Sequence, residues 1–162
     1  MSAIRRVKSI LTESGGDLSL KRATVDDSDF AFDMKIVAFR PYVEQSLGWN
    51  EVVQRQQHRH NFARHDYRVI TVDGTARGIM SLTVERACVK DNQLFLAPEH
   101  QGDGIGARCM ALIISEAESR GLPVRLRVMK VNPRAKAFYE RLGFTVISEI
   151  ETHCTMERAV TL

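Results

Sequence analysis

Leu18, Leu20 and Ala23 alternate with Ser19, Lys21 and Thr24, which predicts a first strand. Asp26, Asp27, Ser28 and Asp29 then supply cap residues and negative charge for the start of a helix carrying Phe30, Met34, Val37 and Ala38. Pro41 and Gly48 interrupt, and Asn50 caps a second helix over Glu51 to Arg64. Strands follow at Tyr67–Val72 and Gly78–Glu85, joined through Asp73-Gly74, a strong hairpin signal, and at Asn92–Leu96, closed by Pro98. The clearest helix runs from Gly104 to Arg120. Its Ile105, Cys109, Leu112, Ile113 and Ala117 share one face, and Gly121 stops it. Val124, Leu126 and Val128 alternate with Arg125 and Arg127 in the next strand. Asn132 and Pro133 open a last helix that ends at Gly143, and Phe144–Ile150 and Thr152–Glu157 close the chain as strands.

The resulting order, β-α-α-β-β-β-α-β-α-β-β, predicts a mixed α/β sheet of about seven strands with four helices. Antiparallel hairpins come first, then a β-α-β crossover, whose strands must be parallel. Residues 1–17 read as a flexible tail and 18–158 as one domain.

Composition narrows the class without naming it. The 162 residues are 44% apolar and 27% charged, which excludes collagen-like, low-complexity and wholly disordered chains. The longest apolar run, Cys109 to Ile114, falls far short of the ~20 residues of a membrane span. Met1 to Leu20 lacks the apolar stretch of a secretory signal. The net charge of +3 comes entirely from residues 1–25, a solvated lead-in rather than a nucleic-acid or membrane surface. Cys88, Cys109 and Cys154 are widely spaced with no CxxC, as expected for buried thiols in a cytoplasmic protein. Cys109 lies near a helix N-terminus, where a thiol can be activated, but on the apolar face. His58, His60 and His65 form no metal-ligand pattern, and no metal is expected.

The chemistry concentrates between Leu94 and Gly106, where a strand stops and three glycines arrive at the start of the long helix. Unpaired N–H groups of a first helical turn, with the positive end of the helix dipole, make an anion site suited to a pyrophosphate. The same glycines would also serve a plain turn. Walker A is excluded, since Ala107-Arg108 follows Gly106. Gly102, Gly104 and Ala107 satisfy a dinucleotide pattern, with Arg127 placed as an NADP reader, but Pro98 and a loop separate strand from glycine.

A third pattern, Gln101-x-x-Gly104-x-Gly106, resembles the coenzyme A-binding motif of the GNAT superfamily of N-acetyltransferases. Val128 to Ala135 with Phe138 to Phe144 resembles that superfamily's second cofactor segment, and Arg40 to Glu44 with Gly48-Trp49 resembles one bacterial branch. The resemblance implies a splayed sheet of the acyl-CoA N-acyltransferase fold, with residues 18–158 as its domain. It implies that the backbone of Leu94, Phe95 and Leu96 pairs with the pantetheine arm of acetyl-CoA. Gln101 would belong to the cofactor site, the amides of Gly102, Asp103, Gly104, Ile105, Gly106 and Ala107 would hold the pyrophosphate, and Asn132 would bond the pantetheine. Tyr139 would face the thioester sulfur as general acid. An amine, on a small molecule or a protein, would attack directly in a ternary complex. A homodimer is the superfamily's habit.

The residues themselves leave alternatives open. Ala135, Phe138, Tyr139 and Leu142 share a helix face, so Tyr139 also fits a core position, and Asn132 also fits a helix cap. With an ordinary pKa near 10, Tyr139 can protonate a departing thiolate, while a backbone N–H near Leu96 steadies the carbonyl oxygen. The base is open among Glu44, Glu85, Asp91, Glu99 and water, because Arg127 stands where some relatives place a glutamate. Arg108, Arg134 and Lys136 could meet the 3′-phosphate; Phe39, Tyr42 and Trp49 could wall the acceptor site or fill the core. A non-catalytic acyl-CoA sensor and an NADP-binding redox protein are the competing readings.

Overall fold

Seven strands form one sheet in the order β1-β2-β3-β4-β5-β7-β6. They are β1 Leu18–Arg22, β2 Asp66–Val72, β3 Thr75–Val84, β4 Val89–Leu96, β5 Val124–Met129, β6 Thr145–Glu149 and β7 His153–Arg158. The computed structural model describes residues 16–161, so most of the expected tail lies outside the described residues. Every neighbouring pair of strands is antiparallel except β4–β5, which is parallel. The Asp73-Gly74 hairpin joins β2 to β3 with positive φ at both residues (52° and 80°), the turn whose twist matches the strands.

Five α-helices form among the described residues rather than four: α1 Ser28–Ala38, α2 Arg40–Ser46, α3 Glu51–Arg64, α4 Ile105–Ser119 and α5 Pro133–Arg141. The extra one is α2. Pro41, expected to interrupt, sits in its first turn, where a missing N–H costs nothing. The face of α1 also differs from expectation. Val37 is exposed, whereas Ala31, Phe32 and Lys35 are buried. Strand β4 begins at Val89, three residues before the expected Asn92, because the polar run Lys90 to Gln93 hides its pattern.

Strand alternation splits the core in two. Met80, Val89, Leu94 and Leu126 meet Ile105, Cys109, Met110 and Ile113 of α4 on one face. Tyr67, Ile79 and Phe95 meet Ala31 and Met34 of α1 and Phe62 of α3 on the other.

Two irregularities in β4 open the sheet. Ser81 pairs with Gln93 and Leu82 with Asp91, so Asn92 is the extra residue of a bulge. On its other edge β4 pairs with β5 only at Val89–Val124, Lys90–Arg125 and Asp91–Leu126. Beyond Asp91 the two strands run on unpaired, and the sheet is splayed there.

Candidate active site

The splay opens into a cleft of about 790 Å³ that reaches both faces of the sheet. On the α4–α5 side it is built largely from backbone. The N–H of Ala97 donates to the Arg77 carbonyl on β3. By strand alternation the N–H and C=O of Leu96 and Leu94 point the other way, into the gap, while those of Phe95 face β3. The Leu96 carbonyl accepts a hydrogen bond from Gln101 Nε2 at 3.1 Å, which ties the glycine loop to the strand end.

Gly104 is the N-cap of α4, and no side chain caps the helix. The first intrahelical bond runs from Arg108 N–H to the Gly104 carbonyl, so the N–H groups of Ile105, Gly106 and Ala107 are not used within the helix. Gly102 and Gly104 have φ of +86° and +79°, and a Cβ at either would meet open space. They give the chain its left-handed turns and leave the approach to those amides clear. A bare helix N-terminus beside a bare strand edge fits a ligand with a pyrophosphate joined to an amide-bearing arm.

Gln101, Gly102, Gly104, Gly106, Ala107, Leu94, Phe95, Leu96, Asn132 and Tyr139 all line this cleft. Two other expected positions do not: Ile105 is buried in the core and Asp103 is exposed, so they bring only backbone. Asn132 caps α5 through its Oδ1, which accepts from Ala135 N–H at 3.1 Å, leaving its amide nitrogen to offer. Arg134 lines the cleft, Lys136 pairs with Glu140 at 3.8 Å, and Arg108 donates to the Gly16 carbonyl at 2.7 Å.

Tyr139 stands on α5 with its ring edge-on to Phe138 and Phe144. Burial first, and the charge of Asp91 second, push its phenol well above the ordinary 10. The expected ordinary acidity is thus corrected: the phenol keeps its proton at every physiological pH. Asp91, the last paired residue before the splay, lines the same cleft and is 4% exposed. Burial pushes its carboxyl up to about 7, partly offset by a hydrogen bond from the Gln93 N–H. Its Oδ1 has no hydrogen-bond partner. Of the other candidate bases, Glu44 is tied to Arg40 at 2.7 Å, and neither it nor Glu85 nor Glu99 lines the cleft.

The Cys109 thiol is fully buried and pushed up to about 12, so it is inert packing. Among the described residues no group of three His, Cys, Asp or Glu side chains is placed to hold a metal ion. No helix among them is long and apolar enough to cross a membrane.

The α1–α3 side of the cleft is built from side chains. Phe39 and Tyr42 line it, but Trp49 does not; it packs instead near Phe32 and under the Arg40 guanidinium. Lys35, Asn61, His65 and Lys90 line it too. The sequence alone assigns none of these four to the site, since no spacing rule links positions brought together by three separate elements.

With a single parallel strand pair, the sheet cannot be the doubly wound parallel sheet that the dinucleotide pattern requires. Residues 32–144 match the model of the acetyltransferase (GNAT) family, and the chain belongs to that family. Solved structures agree on the fold. The PaiA N-acetyltransferase of Thermoplasma acidophilum, in complex with coenzyme A, is 17% identical and superposes with a TM-score of 0.69 over 88% of this chain and 99% of its own. The ribosomal-protein-S18-alanine N-acetyltransferase of Escherichia coli is 18% identical, with a TM-score of 0.70 over 90% and 95%. An acetyltransferase of Thermus thermophilus is 20% identical, with a TM-score of 0.67 over 87% and 96%.

Proposed function

We propose that this chain moves the acetyl group of acetyl-CoA to an amine by direct attack within one ternary complex. The observation that carries the reading is the convergence of three features on one cleft: uncapped amides of α4, the bare edge of β4, and the Tyr139 phenol. The coenzyme A held by the Thermoplasma relative supports the same donor here.

When bound, acetyl-CoA supplies a thioester carbon open to attack. The amides of Gly102 to Ala107 hold its pyrophosphate, and Leu94 and Leu96 offer strand-like hydrogen bonds to its arm. Fixing both partners in the cleft accounts for much of the rate through proximity. The Leu96 N–H can bond the carbonyl oxygen as negative charge builds there.

The C–N bond forms as the C–S bond breaks, and two protons move. The amine's proton passes to the Asp91 carboxylate, directly or through water, and Tyr139 gives its proton to the departing sulfur. Asp91 then returns a proton to the Tyr139 oxygen, so both groups end as they began. A carboxyl near 7 is ionised often enough at neutral pH to accept, and acidic enough to give the proton back.

Thermal unfolding with acetyl-CoA, CoA and NADPH tests the donor. A ligand supplied at 100 times its Kd adds about 2.7 kcal/mol of stability. Stabilisation by both coenzyme A species and not by NADPH is expected; the reverse overturns the reading. Thiol release against a panel of amines then separates an enzyme from an acyl-CoA sensor.

A further inference from the structure

The α1–α3 side of the cleft carries a charge pattern that acetyl transfer does not itself require. Lys35, in the last turn of α1, is 5% exposed, and among the described residues no hydrogen bond or ion pair holds its ammonium. Lysine is almost never this buried without a partner, because an unpaired ammonium loses its hydration and gains nothing in return. Nearby His58 is not that partner, since its Nε2 faces the Ser28 carbonyl at 2.9 Å. Lys90 on β4 lines the same cleft and brings a second positive charge, while burial and the charge of Lys90 hold His65, at the end of α3, below its ordinary pKa and so in its neutral form. Among the described residues that line the cleft, Asp91 is the one carboxylate. It shares the β4 face of Val89, whose packing partners are those of α4, so it lies away from Lys35.

We propose that Lys35, with Lys90 on the same cleft, is the anion subsite of the acceptor: the substrate is an amine that bears a carboxylate or a phosphate on the same small skeleton. This inference rests on the acetyl-transfer reading. An ammonium inside the protein gains most from a ligand that brings the missing negative charge. The same field opposes a second ammonium, so polyamines and aminoglycosides are disfavoured. The donor enters from the α4–α5 side, which leaves the Lys35 side for the acceptor.

The test measures thiol release with matched acceptors: amino acids, their amides, aminoalkyl phosphonates and spermidine. The anionic member of each pair is expected to have the higher kcat/KM, by about 10–100-fold, through KM. Lys35→Met, which keeps the side chain's length and removes its charge, should abolish that preference by raising KM for the anionic acceptors while leaving acetyl-CoA affinity unchanged. Lys35→Arg should restore part of it. The comparison of acids with amides needs no variant, so it decides the matter even if Lys35→Met fails to fold. Amides or spermidine turned over as well as the acids overturn the subsite, as does a chain that binds acetyl-CoA but acetylates none of the anionic amines. Phosphonates preferred over carboxylates identify phosphate as the group held. A chain that does not bind acetyl-CoA fails at the earlier step, in the acetyl-transfer reading itself.

Discussion

The two walls of the cleft are made of different material. On the α4–α5 side the contacts on offer are main-chain amides of a helix start and a strand edge, made reachable by residues without side chains. On the α1–α3 side they are the tips of Lys35, Asn61, His65 and Lys90 beside the rings of Phe39 and Tyr42. A backbone wall is tied to the fold and suits a ligand that never changes. A side-chain wall can be rewritten by substitution without disturbing the sheet, and so suits the partner that differs from one relative to the next.

Substitutions on one wall should therefore leave the other's ligand untouched. The largest effect is expected at the Tyr139 phenol. Tyr139→Phe should lower kcat by about 10²–10⁴-fold with the acetyl-CoA Kd unchanged, as steady-state rates and calorimetry can check. An unchanged rate would remove Tyr139 from the proton-donor role.

Asp91 offers a pH signature. Its carboxyl is raised from 3.8 to about 7 by burial, so over that interval the folded chain holds more protons than the unfolded one. Stability should accordingly fall as pH rises from about 4 to about 7, by a few kcal/mol. In Asp91→Asn, denaturation curves across that interval should lose the decline, and the acid limb of kcat/KM near neutrality should vanish with it. A wild-type stability that does not fall over this interval contradicts the assigned environment.

Next comes the backbone wall itself. Gly104→Val puts a branched side chain at a φ of +79° and into the open approach to the amides. It should cost about 100-fold in kcat/KM for acetyl-CoA through misplacement of the donor, with little change in acceptor KM. The smallest effects separate a cap from a ligand. Asn50 and Asn132 both cap helices through Oδ1, at 3.1 Å from Val53 N and Ala135 N respectively. Either one replaced by Ala should cost about 1 kcal/mol of stability. Only Asn132→Ala should also weaken acetyl-CoA binding; equal Kd values in the two variants would leave Asn132 as a cap alone.

Legibility in the sequence follows the same division. The glycine loop, the face of α4 and the Asp73-Gly74 hairpin are readable because local backbone demands leave local signals. Periodicity places Cys109, Ile113 and Ala117 in the core, and they are there. The α1–α3 wall is not readable. Lys35 is a charged residue in a buried position, so any hydrophobic pattern assigns it to solvent; Pro41 reads as a break where it starts a helix. In the sequence Asp91 is one of four equal candidates, and only the bulge at Asn92 and the end of β4–β5 pairing set it under the cleft. Long-range placement of this kind leaves no trace in spacing.

Calorimetric titration of the full chain with acetyl-CoA tests the central claim most directly. Saturable binding at one site per chain, complete below about 1 mM, is the predicted result. No heat and no saturation at millimolar acetyl-CoA would contradict it.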